Sequence, residues 1–272
     1  MSTPIISIIG AGHLGTSLLG GLISKGYSPK QIWIANPSAK KLADLREKWA
    51  VEITENNKHA AEKADVVILA VKPNVMPVVT QEIAGVIQKK KPLVISVAAG
   101  VREKSLRAWL GEATPVVRCM PNTPALIGCA ASALFANTIV SKEQREQAES
   151  ILRAVGTVVW LESEELMDAV TALSGCGPAY FFLVIEALQS AGEKLGLPAE
   201  TARLLALQTA YGASKMALES DYPASELRRQ VMSPGGATEK AVGVLEEKNI
   251  RAIFFEALFA AKKRSEELAL QK

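Results

Sequence analysis

Histidine is nearly missing from this chain. Only His13 and His59 occur among 272 residues, which leaves no material for a His-based catalytic triad or a histidine metal site. Cysteine is equally sparse. Cys119, Cys129 and Cys176 are odd in number, far apart and never in C-x-x-C spacing. Neither a disulfide framework nor a zinc site is expected, and a reducing cytoplasm is. Aromatic residues make up 5% of the chain and are not interleaved with basic ones, so base stacking has no support. Charge of one sign is also lacking: the net charge is +3, and the block Lys89-Lys90-Lys91 reads as a solvated loop. No apolar run approaches membrane-spanning length, Ala252 to Ala261 being interrupted by Glu256. Met1-Ser2-Thr3 leads straight into a strand pattern, so no signal peptide is expected. No nucleic-acid or membrane partner follows from these counts.

What remains is an ordinary globular composition, 49% hydrophobic and 22% charged, long enough for one large or two medium domains. Its most informative stretch is Pro4 to Gly15. Ile5, Ile6, Ile8 and Ile9 form a β-branched run of the kind buried on both faces of a parallel sheet. Gly10-Ala11-Gly12-His13-Leu14-Gly15 follows at once, and a helical pattern follows that. In G-x-G-x-x-G the first glycine makes a tight turn, the second admits a pyrophosphate, and the third lets helix and strand pack closely. The helix start then offers N–H groups and partial positive charge to phosphate. Gly10, Gly12, His13, Leu14 and Gly15 are therefore expected at a dinucleotide.

The first half of the chain alternates strand and helix signals, the pattern of an α/β Rossmann-type parallel sheet. Strands are expected at 31–35, 66–71, 93–98, 115–120 and 156–161, with an edge strand at 131–136. Helices are expected at 14–25, 39–49 and 75–88, and through Ala154 from a capping box at Ser141 to Gln144. From Glu164 onward only helical segments follow: 178–195, 199–219, 225–232, 237–247 and 251–268. The expected domains are 1–162, dinucleotide-binding, and 163–272, helical. Ala179 to Ile185 and Ile253 to Phe255 are apolar on more than one helix face, which points to burial against a second subunit.

An NAD site carries an acidic residue about 20 positions past the glycines. The second strand here ends in Asn36, with Ser38 close behind, and both can donate to a 2′-phosphate. NADP is therefore expected over NAD, with NADH still usable. Three more loops leave strand ends where ligands bind in such sheets. They are Ala70-Val71-Lys72-Pro73, Ala98-Ala99-Gly100 and Met120-Pro121-Asn122-Thr123-Pro124. From these Ala70, Val71, Lys72, Pro73, Ala98, Ala99, Pro121 and Asn122 are assigned to the cofactor, together with Asn57. Ser174-Gly175-Cys176-Gly177-Pro178 reads as a turn before a long helix, with Pro178 in its first turn. Ser233 to Thr238 precedes another helix with open N–H groups, two hydroxyls and no acid, which suits a small carboxylate.

Taken in order, the glycine loop, AVKP at 70–73, SVAAGV at 96–101, MPNTP at 120–124, SGCGPAY at 174–180 and SPGGAT at 233–238 resemble the pyrroline-5-carboxylate reductase family along nearly the whole chain. The resemblance implies reduction of the cyclic imine 1-pyrroline-5-carboxylate to L-proline, the last step of proline biosynthesis, with NAD(P)H as hydride donor. It also implies a helical dimerisation domain, interlocked subunits that assemble into rings, and a substrate site completed by the neighbouring subunit. Thr238 and Ser233 become the catalytic candidates, and Ser174, Gly175, Cys176, Gly235, Gly236 and Ala237 the substrate-binding ones. The family usually has serine at Cys176, and often Ser or Thr at Asn36. A protonated imine needs only hydride, orientation and a hydrogen-bond partner for its nitrogen, which suits a site poor in ionisable groups. Two alternatives stay open. A 3-hydroxyacid dehydrogenase of related build would carry a lysine on the first long helix after the sheet, and Pro178 to Ser190 has none. A non-catalytic NADP-binding regulator would keep the glycine loop without needing Ser233 to Thr238.

Overall fold

The computed structural model describes residues 3–270. The chain divides into two compact units, Met1–Cys176 with Ala261–Lys272, and Gly177–Ala260. The first unit is built on one sheet. β1 (Ile6–Ile9) leads into α1 (His13–Ser24), and β2 (Ile32–Ala35) into α2 (Ala39–Trp49). Then come β3 (Glu52–Thr54), α3 (Asn57–Lys63), β4 (Val66–Leu69), α4 (Met76–Lys90), β5 (Leu93–Ser96) and α5 (Glu103–Leu110). β6 (Val116–Met120), β7 (Ala130–Ala136), α6 (Lys142–Arg153), β8 (Gly156–Trp160) and α7 (Leu166–Val170) complete it. The strand order is β3-β2-β1-β4-β5-β6-β7-β8. All neighbours are parallel except β6 and β7. The order reverses between β1 and β4, the place where open α/β sheets bind ligands.

Successive strand residues point to opposite faces, and both faces are covered. Val66 and Ile68 of β4 join Ile6, Ile8, Leu18, Leu22 and Leu152 in one core. Val67 and Leu69 join Ile9, Ile83, Ile87, Leu106 and Leu110 in the other. Helix starts on the solvent side are closed by side chains: Ser38 accepts from the Lys41 N–H, Asn56 from His59, and Ser141 from Gln144 in the expected capping box.

The structure departs from the sequence reading at several elements. β7 is not an edge strand; β6 and β8 flank it on either side. β3, α3 and α5 were not anticipated, because a three-residue strand and helices of seven and eight residues show too little periodicity. The segment at 174–178 is not a simple turn before a helix. It follows α7 and a π-helical turn, Thr171–Gly175, closed by the Cys176 N–H on the Thr171 carbonyl at 2.8 Å. By length and composition alone the helical run Leu166–Lys194 could cross a membrane, an 18-residue stretch within it having mean hydropathy 1.4, so the expectation of no such run is corrected. Its apolar residues are spread among Ser, Gly, Gln and the charged Asp168, Glu186, Glu193 and Lys194, which hid the run from a search for unbroken hydrophobic sequence.

α7 and the π-turn pack with the sheet unit, which runs to Cys176. A cluster of ions holds that part. Arg102 reaches Asp168 at 2.6 Å, Ser265 donates to the same carboxylate at 2.6 Å, and Arg118 pairs with Glu164 at 2.7 Å. Glu164 also accepts the Glu103 N–H at 2.6 Å, closing the start of α5.

The second unit contains α8 (Gly177–Lys194), α9 (Ala199–Glu219), α10 (Ala224–Gln230) and α11 (Ala237–Glu247). α12 (Ile250–Leu270) begins in it. Among its described residues only Ala202 and Ala206 are buried hydrophobics. Phe181, Phe182, Leu183, Leu218, Phe255 and Phe259 are all exposed.

Candidate active site

The glycine loop lies between the ends of β2 and β4. The Gly10 N–H donates to the Ala35 carbonyl at 2.8 Å, and the Ala70 N–H to the Ile9 carbonyl at 2.8 Å. Gly10 adopts φ +111°, and a Cβ there would stand 2.6 Å from the Ala70 oxygen, so only glycine fits this close approach. Gly12 is different. A Cβ on it would meet nothing within 4 Å, so its backbone faces open space. α1 starts there with no side-chain cap and no acid in its first turn. Its first N–H groups have no intrahelical partner, and the helix end carries partial positive charge. These features fit a dinucleotide pyrophosphate.

Asn36 turns its Oδ1 onto the same loop, accepting the Ala11 N–H at 3.3 Å. Its Nδ2 meets no acceptor among the described residues and remains a donor. Ser38 caps α2 at 3.4 Å from the Lys41 N–H. Asn57 opens α3 and donates to Glu82 at 2.8 Å. Lys72 is exposed beyond β4, its carbonyl held by the Val75 N–H at 3.0 Å.

A cavity of about 230 Å³ opens beside the loop. It is lined by His13, Leu14 and Ser17 of α1, Val97 and Ala99 beyond β5, Met120 at the end of β6, Pro121 to Thr123 beyond it, Ala125, Leu126 and Gly175. The structure thus brings together His13, Leu14, Ala99, Pro121, Asn122 and Gly175 from the expected set. Met120 and Thr123 come from the expected loop at 120–124, while Ser17, Val97, Ala125 and Leu126 were missed as lining. For the last three, their places just beyond the strand ends were the available signal. Asn122 is engaged at both amide atoms: its Nδ2 donates to the Ser174 carbonyl at 3.0 Å and its Oδ1 accepts the Ala131 N–H at 3.0 Å. The Ser174 hydroxyl donates to the Val170 carbonyl at 3.2 Å.

Ser233 to Thr238 belong to the second unit. Pro234 and Gly235, at φ +73°, form a turn closed by the Gly236 N–H on the Ser233 carbonyl at 2.9 Å, the geometry of a type II turn. The open N–H groups expected here are corrected. Glu239, in the first turn of α11, reaches back to the Gly235 N–H at 2.7 Å, and the Gly236 N–H is used by the turn. The third residue of a helix commonly closes backward in this way. The Ala237 N–H, at the helix start, and the exposed hydroxyls of Ser233 and Thr238 stay available.

Two family models match the chain: pyrroline-5-carboxylate reductase dimerisation over residues 164–268, and NADP oxidoreductase coenzyme F420-dependent over residues 5–100. The chain is 50% identical over 271 residues to pyrroline-5-carboxylate reductase of Pseudomonas aeruginosa, covering 100% of this chain and 99% of that one. The chain belongs to the pyrroline-5-carboxylate reductase family. The reductase of Escherichia coli is 38% identical over 265 residues, 97% of this chain and 98% of its own. Among solved structures, the pyrroline-5-carboxylate reductase of Coxiella burnetii superposes with a TM-score of 0.96 at 47% identity, covering 98% and 99% of the two chains. That of Plasmodium falciparum, solved with NADP bound, gives 0.87 at 29% identity, covering 99% of each. The Rossmann-type domain and helical dimerisation domain expected from sequence are thus those of this reductase family.

Proposed function

We propose that this chain reduces 1-pyrroline-5-carboxylate to L-proline with NADPH, the last step of proline biosynthesis. The observation that carries this reading is the 50% identity to a curated reductase along the entire chain. The bound nicotinamide would supply hydride to C5 of the imine. The chain's own residues bind and orient. The uncapped start of α1 and the open backbone at Gly12 receive the pyrophosphate. Asn36 offers its Nδ2 to the 2′-phosphate while its Oδ1 stays on the loop, and Ser38, Asn57 and Lys72, which follow the ends of β2, β3 and β4, join it at the cofactor. Val71, Pro73 and Ala98 flank the strand ends with small or apolar surfaces. In the second unit the Ala237 N–H and the Ser233 hydroxyl hold the substrate carboxylate, and Thr238 hydrogen-bonds the ring nitrogen. Ser174, Gly175 and Cys176 border the substrate.

The helical domain, from residue 163 onward, supports dimerisation, because its apolar side chains have almost no interior of their own. An interlocked dimer that assembles further into rings, with each site completed by a neighbour, is the assembly we assign. The free cysteines Cys119, Cys129 and Cys176 fit a cytoplasmic protein. The test is NADPH oxidation followed over a range of 1-pyrroline-5-carboxylate and cofactor concentrations and repeated with NADH and with the six-membered cyclic imine. The expected result is a higher kcat/KM with NADPH and with the five-membered ring. Turnover of a 3-hydroxyacid instead would overturn the assignment.

A further inference from the structure

One side chain lining the cavity bonds to two other segments of the sheet unit. Asn122, just beyond β6, donates from Nδ2 to the Ser174 carbonyl and accepts at Oδ1 from the Ala131 N–H, both at 3.0 Å. Its amide is therefore used on both sides by protein. The Ser174 carbonyl is open to it for a chemical reason. In an α-helix that carbonyl would receive the N–H of residue 178, and residue 178 is proline, which has none. The turn before it is π-wound, a form that gathers at functional sites. Gly175 completes the arrangement. A Cβ there would lie 2.5 Å from the Met120 Cε, the flexible tip of a side chain that would have to swing aside, so this turn packs closely on the end of β6. Met120, Asn122 and Gly175 line the same cavity as His13 and Leu14.

We propose that Asn122 is a positioning residue that ties the Ser174–Gly175 turn to the end of β6 and so sets the width of the cavity for hydride transfer. It does this through Ser174 and Ala131, and its side chain touches neither cofactor nor substrate. This replaces the sequence expectation of a direct Asn122–cofactor contact, and it rests on the reading of the cavity as the reductase site. Hydride transfer is sensitive to placement on this scale; an error of roughly 1 Å costs about a hundredfold in rate.

The test uses the full-length protein and four variants: Asn122→Asp, Asn122→Ala, Pro178→Ala and Asn122→Ala with Pro178→Ala. The Asn122→Asp change would keep an acceptor for the Ala131 N–H but set an oxygen against the Ser174 carbonyl. The Pro178→Ala change would restore the helix's own donor to that carbonyl. Asn122→Asp should lose about ten- to a hundredfold in kcat while the Kd for NADPH, read by fluorescence, stays within about twofold. Asn122→Ala should speed amide exchange across 171–176, and the added Pro178→Ala should slow that exchange again and recover most of the lost kcat. A Kd for NADPH that rises as steeply as kcat/KM falls would mean direct cofactor contact and overturn the proposal. So would a double variant no better than Asn122→Ala in both readouts, or an Asn122→Asp enzyme with normal kcat. A wild-type protein without imine reductase activity would overturn the functional reading instead, and the exchange data would still decide the tie itself.

Discussion

At the scale of single residues, the proposed 2′-phosphate contact turns on Asn36. Its Oδ1 holds the Ala11 N–H at 3.3 Å, and an aspartate could keep that bond. Asn36→Asp should therefore leave the loop folded while adding a negative charge beside the 2′-phosphate. NADPH binding should weaken by at least about tenfold more than NADH binding, as like charges at a partly solvated surface repel by a few kcal/mol at most. Equal changes in the two Kd values would remove Asn36 from the 2′-phosphate site. Thr238→Ala should cost about ten- to a hundredfold in kcat/KM, the worth of one hydrogen bond to a charged group, with NADPH affinity unchanged. Near-normal kcat/KM would leave Thr238 a helix-start residue only. Tyr27 gives a pH signature. Burial, with Asp65 nearby, pushes its phenol up to about 12 from the ordinary 10.0. Its neutral form, which donates to the Pro4 carbonyl, is favoured by folding. That contribution is complete below pH 10 and lost as pH rises toward 12. Denaturant titrations should show this loss in wild type and a flatter profile in Tyr27→Phe.

At the scale of elements, legibility followed local pattern. β4 was read from Val66 to Val71 because a buried β-branched run bounded by Asp65 and Pro73 has no helical alternative, and α9 was read at its observed ends. The start of α6 was legible because a capping box is a four-residue signal. β3 and α5 were too short to carry a period. The π-turn was missed because its cause is split: Pro178 removes a donor locally, but Asn122, which uses the freed carbonyl, lies 52 positions earlier. The glycine loop and the strand-end loops were visible as motifs. The backward bond from Glu239 to Gly235 was not, since the loop was read as ending at Thr238. The ion cluster under α7 is likewise invisible locally: Arg102, Asp168 and Ser265 meet only in three dimensions. Asp168 is buried, while Arg102 keeps part of its side chain in solvent. Asp168→Ala would strand both donors, and it should destabilise the protein by about 2–3 kcal/mol, below the full cost of breaking a buried pair because of that exposure. A Tm within error of wild type would show that the cluster does not fasten α7 and the end of α12.

At the scale of the whole molecule, two chemistries are separated between two units. The sheet unit carries the glycine loop and the cavity at the strand ends, and the helical unit carries the hydroxyls of Ser233 and Thr238 and the Ala237 N–H. The helical unit buries only Ala202 and Ala206 among its described hydrophobics, too little to hold α8 to α11 alone. Light scattering at low micromolar concentration should therefore report at least a dimer, and an active monomer would contradict the assembly and the shared site together. The central claim is that this chain passes hydride from NADPH to C5 of the imine. It is tested most directly by turnover of 1-pyrroline-5-carboxylate with NADPH carrying deuterium at both C4 positions, with the product read by mass and NMR. The account predicts L-proline bearing one deuterium, at C5. Proline without deuterium, or no proline at all, would contradict it.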